Sequence, residues 1–366
     1  MRIPIRALTI LFILVLCAAG LFSAARLTIY QAKQSTPIKL GTSGGNVADH
    51  TTTYCCSGTL GALVAKNGTQ YILSNNHVLA RSDQAAPGED ISQPGMVDSN
   101  CSTASSNAVA DFSNAVKLGG NVDAAIAQVR PGQVTPSGEI LTVGIPSSTI
   151  ATPAVGMGIA KAGRTTGFTC ASIAATNTSV TVQYETQCNG GSTFNISYTN
   201  QVLVSSRSFS AGGDSGSLIV NSATAQPVAL LFAGSNTTTI ANPIAEVAQD
   251  LGVSFVGGGT HAVNCGGGGG KKPRGAVAKA SAMKAVEAKQ KHAQELMLDD
   301  AVMAVGVSQD EVNDSEAVVL IVVEQGRKLG HEIPAELDGV KTKVLFSDKI
   351  RAYGWNESRR QSCSVK

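Results

Sequence analysis

Net charge, aromatic rings and metal-ligand spacings are all in short supply in this chain of 366 residues. Lys and Arg number 28 against 26 Asp and Glu, a net charge of +2, with an isoelectric point near 8.1. No strong field of one sign exists to draw in a polyanion, so no nucleic-acid partner is expected. Neither C-x-x-C nor H-x-x-x-H spacing occurs, which disfavours a metal centre; neither metal nor cofactor is expected. His292 and His331 lie near carboxylates but without ligand spacing. Aromatic residues are only 4%, whereas Gly accounts for 39 positions. That balance suits a β-protein with many tight turns.

Arg2 and Arg6 precede an apolar run from Ala7 to Leu16, followed by the small residues Ala18, Ala19 and Ser23 to Ala25. This is the layout of a secretory signal peptide, residues 1–25. The rival reading is an uncleaved anchor through residues 7–22, close to the lower length for spanning a bilayer. A lipoprotein reading of Cys17 is disfavoured, because Leu16 stands where a small residue is wanted. Either way the body of the chain is expected to be exported, periplasmic or extracellular, with no other membrane contact.

The stretch that organises the rest is S-A-G-G-D-S-G-S-L-I-V, residues 210–220. A nucleophilic hydroxyl needs exposure on a tight turn, with backbone N–H groups close to the oxygen that turns negative in acyl transfer. Ser215 is placed for that role, and the N–H groups of Gly213 and Ser215 are the candidate donors. Taken alone, G-D-S-G also fits a Gly-rich hairpin around a buried Asp. Two further segments strengthen the first reading. His77 follows an apolar run in Y-I-L-S-N-N-H-V-L-A, and Asp123 opens another in N-V-D-A-A-I-A-Q-V. The order His, Asp, Ser is that of chymotrypsin-type enzymes and differs from the subtilisin and α/β-hydrolase orders. Asp98 and Asp111 are rivals for the carboxylate. Asp123 is preferred because only it runs straight into an apolar strand, where it would be partly buried and could fix the imidazole tautomer.

S-N-N-H-V-L-A resembles the histidine segment of the high-temperature-requirement proteases, and G-R-T-T-G-F-T-C (163–170) resembles a segment of the alpha-lytic and streptogrisin group. With L-G-A-L-V (60–64), V-D-A-A-I-A, G-D-S-G-S-L and L-L-F-A-G-S…I-A-N-P-I, the ordered set is similar to a bacterial exported trypsin-like serine protease family related to plant narrow-leaf proteins, over roughly residues 38–256. The resemblance implies an all-β fold, a chymotrypsin-like double six-stranded β-barrel. His77 and Asp123 would stand on the first barrel and Ser215 on the second, with the cleft between them. It implies a serine endopeptidase acting on polypeptides through an acyl-enzyme. The pocket floor would be Phe209 and its wall Leu231 to Gly234, including Phe232. No carboxylate stands there, so a small or apolar side chain is expected and Arg or Lys is not. Lys161 and Arg164 either flank the cleft or hold solvated structural positions. Two other classes stay open: a catalytically silent binding protein on a protease scaffold, and an exported serine esterase. No Arg-Ile-Val-type start precedes residue 59, so activation by a new N-terminal amine is not expected.

Short apolar runs recur along the chain: T-L-G-A-L-V-A-K and T-Q-Y-I-L around Asn67-Gly68, then A-I-A-Q-V, I-L-T-V, V-T-V-Q-Y, V-L-V, S-L-I-V and V-A-L-L-F. Their spacing suits a barrel or sandwich, and Asn-Gly marks a hairpin. I-A-E-V-A-Q-D-L (244–251) has helical spacing. The resemblance assigns these to a protease domain, expected over residues 38–264. Residues 265–275, with five glycines after Cys265, read as a linker. Charge density then rises, from 22 charged residues in 26–265 to 30 in 266–366. Residues 276–357 read as a small α+β accessory domain, a candidate docking unit for a protein partner, and 358–366 as a disordered tail.

Six of eight cysteines fall near the protease domain: 55, 56, 101, 170, 188 and 265. Export favours disulfides, and six cysteines allow 15 pairings. Cys170 with Cys188 is favoured, on runs that could form adjacent strands. The alpha-lytic group closes a bridge near the same motif, but its first cysteine precedes that motif, where Ala160 stands here. Of the neighbours Cys55 and Cys56, at most one is expected to reach a distant partner.

Overall fold

A computed structural model describes residues 28–102, 107–266 and 277–352. The signal or anchor segment (1–25, or 7–22), linker residues 267–275 and the tail 358–366 lie outside the described residues. The chain opens with β1 (Thr42–Asn46), β2 (Gly58–Leu60), β3 (Ala62–Lys66) and β4 (Thr69–Ser74). Asn67 and Gly68 join β3 to β4 with φ of +51° and +78°. Two consecutive left-handed residues make the turn whose twist matches a hairpin, and Lys66 pairs with Thr69 across it. A one-turn helix α1 (Asn76–Leu79) follows, then β5 (Asp90–Ser92), β6 (Ala108–Ala115) and β7 (Ala125–Val129).

The second half runs through β8 (Gly158–Gly163), β9 (Gly167–Ser172), the long hairpin β10 (Ala175–Gln187) and β11 (Gly190–Ser205), then β12 (Leu218–Asn221), β13 (Pro227–Gly234) and β14 (Thr238–Pro243). The helix α2 (Ile244–Leu251) buries Ile244, Val247 and Leu251, one apolar stripe at helical spacing. It returns the chain to β15 (Ser254–Phe255), which pairs with β3. I-L-T-V is the run that does not become a strand. Thr142 takes φ +65° and the amides and carbonyls of Ile140 and Gly144 bond each other, so the chain reverses inside the run.

The all-β expectation is met in two curled sheets that form barrel-like halves. The first has the order β15-β3-β4-β7-β6-β5-β1-β2. In the second, β10-β11-β14-β13-β12-β8-β9 comes from residues 158–243.

Residues 277–352 add α3 (Lys279–Leu296), β16 (Val302–Gln309), β17 (Ala317–Glu324), β18 (Glu336–Leu337) and β19 (Val340–Ser347). β16 pairs antiparallel with β10, Ala175 opposite Ser308 and Val180 opposite Ala304. The second sheet thereby continues into this unit as β10-β16-β17-β19-β18. A-V-V-L-I-V-V is apolar throughout because both faces of β17 are covered. Val319, Ile321 and Val323 pack with Ala285, Ala288 and Ala293 of α3, while Leu320 and Val322 join the core of the second half. Lys289 crosses from α3 to β10, donating to Ser179 Oγ at 2.7 Å and Asn177 Oδ1 at 3.3 Å. Burial holds its ammonium below the ordinary lysine pKa.

Among the described residues three disulfides form: Cys55–Cys101, Cys56–Cys188 and Cys170–Cys265. The favoured Cys170–Cys188 pair is therefore wrong. Cys170 lies on β9, which pairs with β8, whereas Cys188 sits at the tip of the β10–β11 hairpin, where Cys56 of the first half meets it. Cys55 and Cys56 both reach distant partners, against the expectation that at most one would. Such bridges are the mark of an oxidising compartment, extracellular or periplasmic. Among the described residues no helix is long and apolar enough to cross a membrane. The Cys170→Ser variant is expected to lose about 3–5 kcal/mol in urea unfolding, as for a bridge closing a loop of 95 residues. It should free Cys265 to alkylation; peptide mapping that found Cys188 alkylated instead would overturn the pairing.

Candidate active site

β4 ends at Ser74 and the chain turns directly into α1, with His77 one residue into it. Two asparagines fix that turn. Asn75 Nδ2 donates to the Asp123 carbonyl at 2.7 Å, and Asn76 Nδ2 donates to Asp83 at 2.5 Å and to the Val116 carbonyl at 2.7 Å. The first of these ties the histidine segment to the start of β7. There His77 Nδ1 lies 2.6 Å from Asp123 Oδ2, and the His77 backbone N–H donates to Oδ1 at 3.3 Å. Both side chains are fully buried. A carboxylate can only accept, so Nδ1 carries a proton, and in a neutral imidazole the acceptor lone pair is then on Nε2.

The second half completes the shell of Asp123. Tyr184, on β10, donates its hydroxyl to Asp123 Oδ2 at 2.8 Å and lies 2.7 Å from the Tyr198 hydroxyl of β11. The Tyr184 ring meets the His77 ring edge-on, centroids 6.2 Å apart. The Asp123 backbone N–H donates to Asn242 Oδ1 at 3.0 Å, and Asn242 is held in turn by Gln201 at 2.7 Å. Burial, with the Asp123 charge beside it, pushes the Tyr184 phenol well above its ordinary pKa; Tyr198 moves the same way for the same reasons. Both therefore stay neutral donors.

Ser215 sits in the turn before β12. A Cβ on Gly58 would come within 2.5 Å of Val78 Cγ2 and 2.9 Å of the Ser215 carbonyl. The serine loop thus packs against β2 beside the residue that follows His77, and Thr59 N–H donates to the Ser215 carbonyl at 2.8 Å. The Ser215 hydroxyl is directed at the carbonyls of Phe232, 3.4 Å, and Ala352, 3.3 Å.

Gly213 takes φ +94°, and a Cβ there would meet Thr165 Oγ1 at 2.5 Å and Arg164 Nη1 at 2.9 Å, so the position admits only glycine. The Gly212 carbonyl accepts from Thr165 Oγ1 at 2.7 Å. The Asp214 carbonyl accepts from Ser217 Oγ at 2.6 Å and from Ser217 N–H at 3.0 Å. In a trans peptide C=O and N–H point opposite ways, so anchoring these two carbonyls turns the Gly213 and Ser215 N–H groups away from those anchors.

The loop is held from below by Asp214. Its fully buried carboxylate accepts from the N–H groups of Thr165, Thr166 and Ala211 at 2.8, 3.1 and 3.0 Å and from Thr166 Oγ1 at 2.7 Å. Lys161 Nζ lies 3.5 Å away, also fully buried. Desolvation lowers the Lys161 pKa and the Asp214 charge opposes that shift. Lys161 is fully buried, against the expectation of a solvated position, and Arg164 keeps only 12% of its side chain exposed. Arg164 grips Asp98 through Nε and Nη2 at 2.6 and 2.7 Å, and Asp111 is taken by Arg130 at 2.6 Å. Both rival carboxylates are thus engaged elsewhere.

Phe209 and Phe232 are fully buried. Phe209 offers its carbonyl to Thr169 Oγ1 at 2.7 Å, and the Phe232 ring packs edge-on to Tyr198. Sequence reasoning missed Tyr184, Tyr198 and Asn242, and it named Lys161 without its buried partner Asp214. The signal for Tyr184 was its place on the inward face of β10 with Val180 and Val182, since a buried phenol needs a polar partner.

No protein-family model matches the chain, and no curated protein matches it. Solved structures are similar to it. One is a glutamic-acid-specific serine protease described as using a histidine triad in substrate binding: 22% identity over 60% of this chain and 100% of that one, TM-score 0.43. Thermobifida fusca protease A shares 17% identity over 60% and 99%, TM-score 0.41. Cellulomonas bogoriensis chymotrypsin shares 17% over 60% and 99%, TM-score 0.40.

Tyr184→Phe should cost about 1–3 kcal/mol at neutral pH, the penalty for a buried acceptor short of one donor. Above pH 10 the unfolded phenols ionise while the folded ones hold their protons. The folded state then binds more protons, so stability is full below pH 10 and falls as pH rises beyond it. Urea midpoints between pH 9 and about 11.5 should fall less steeply for the variant than for the parent; identical slopes would count against the buried pair.

Proposed function

We propose that the protein is an exported serine endopeptidase. The observation that carries the reading is the buried contact of 2.6 Å between His77 Nδ1 and Asp123 Oδ2, taken together with a serine in a G-D-S-G loop braced from below. In this mechanism Ser215 Oγ attacks the peptide carbonyl and His77 Nε2 takes its proton. His77 then passes that proton to the leaving amine, and water hydrolyses the acyl-enzyme by the same route. Asp123 keeps the imidazole in the tautomer that leaves Nε2 able to accept, and stabilises the imidazolium. The Gly213 and Ser215 N–H groups hold the oxyanion, a contribution of about 3–4 kcal/mol per donor in comparable sites. No metal or cofactor enters. Phe209, Phe232 and Gly234 bring no carboxylate, so the side chain taken on the acyl side is small or apolar.

A fluorophosphonate should label Ser215, and Ser215→Ala should abolish both labelling and peptide hydrolysis while the far-ultraviolet spectrum stays unchanged. Asp123→Asn should slow turnover by about 10^4-fold, because the wrong tautomer is then favoured. Hydrolysis that survives Ser215→Ala would exclude the reading. Turnover of a short ester but not of casein would move it to an esterase.

A further inference from the structure

The last described residues of the chain lie against the candidate nucleophile. Ile350, Arg351 and Ala352 run as an extended strand between β10 and β13. Gln183 N–H donates to the Ile350 carbonyl at 3.1 Å, and Ala352 N–H donates to the Gln183 carbonyl at 3.0 Å. On the other side, the amides and carbonyls of Gly234 and Arg351 bond each other, 2.9 Å in both directions. The segment is antiparallel to β13 and parallel to β10. Ile350 and Ala352 are 1% exposed and join the core that contains Phe209, Phe232 and Tyr184. Arg351, between them, is less buried. The approach is fixed upstream too: Ser347 Oγ lies 2.7 Å from Ser235 Oγ, and Asn236 Nδ2 donates to Asp348 at 3.0 Å.

We propose that Ile350–Ala352 fills, in cis, an extended-peptide groove beside Ser215, and that the accessory unit thereby keeps this groove closed. Gly234 and Gln183 offer backbone groups to either edge of an incoming strand, which is how a sheet captures a peptide. Inward positions alternate, as strand geometry requires, and here they hold Ile and Ala. The groove therefore takes extended backbone with apolar or small side chains at every second residue. The pose is also an idle one. The Ser215 hydroxyl is directed at the oxygens of Ala352 and Phe232, and a proton engaged there is not passing to an imidazole. A peptide from elsewhere must displace the segment before it can bind. The proposal rests on the acyl-transfer reading for what the groove serves, but the occupancy is measurable without it.

The test uses the full chain and two variants. Arg351→Pro removes an N–H that Gly234 accepts, and Ala352→Asp puts a charge in an apolar site. Both should speed amide exchange at Gln183 and Gly234 while the β16–β17 amides stay protected, which shows that the accessory unit is still folded. Fluorophosphonate labelling of Ser215 should rise at least about tenfold, the factor for a groove open about a tenth of the time. If the parent already exchanges Gln183 and Gly234 as fast as the variants, the segment is not seated and the proposal falls. If the amides respond and the parent is labelled as fast as the variants, the segment does not control access and the proposal falls. If the amides respond and no form is labelled, the occupancy stands and the acyl-transfer reading fails.

Discussion

A carboxylate removed from water must recover from the protein the hydrogen bonds it lost, or it will not stay charged. Asp123 recovers them from both halves of the molecule at once. His77 supplies a ring N–H and a backbone N–H from the first half, and Tyr184 supplies a hydroxyl from the second. Asn242, also from the second sheet, takes the aspartate's own backbone N–H. The arrangement therefore sets the histidine's tautomer and also fixes one half against the other. Shifting the two sheets by an ångström or two would strip that buried charge of a donor.

The serine loop answers the same problem with a second buried carboxylate. Asp214 draws three backbone N–H groups and a threonine hydroxyl around itself, with Lys161 behind them. Buried ion pairs are weak sources of net stability, but breaking one is costly. Here the pair is internal to residues 161–214, with Lys161 Nζ 3.5 Å from the carboxylate.

What could be read from the sequence was whatever chemistry leaves a local mark. Ser215, His77 and Asp123 each sit in a short stretch whose residue types are explained by their own neighbourhood, and Asn67-Gly68 announces its turn. Tyr184 could not be paired with Asp123 from sequence, because nothing local to V-T-V-Q-Y says what lies across a sheet from it. The disulfides failed for a related reason. Adjacency along the chain suggested Cys170 and Cys188, but the strand that follows β9 leaves for the far side of the sheet order. The run A-V-V-L-I-V-V was legible as a strand; that it is covered on both faces depends on α3 on one side and the second half on the other. The last described residues gave no warning, since K-I-R-A (349–352) carries no motif and its meaning lies in where the preceding strand delivers it.

β10 is asked to do several things. Its inner face carries Tyr184, its tip reaches Cys188 and the first half, and its outer edge is completed by β16. A strand edge with its hydrogen bonds unmet is a template for strangers. The accessory unit is thus a cap sewn to the body by a ladder, independent of the peptide that connects the two in sequence. Nicking that connection would leave two polypeptides behaving as one particle, parting only when the seam itself unzips.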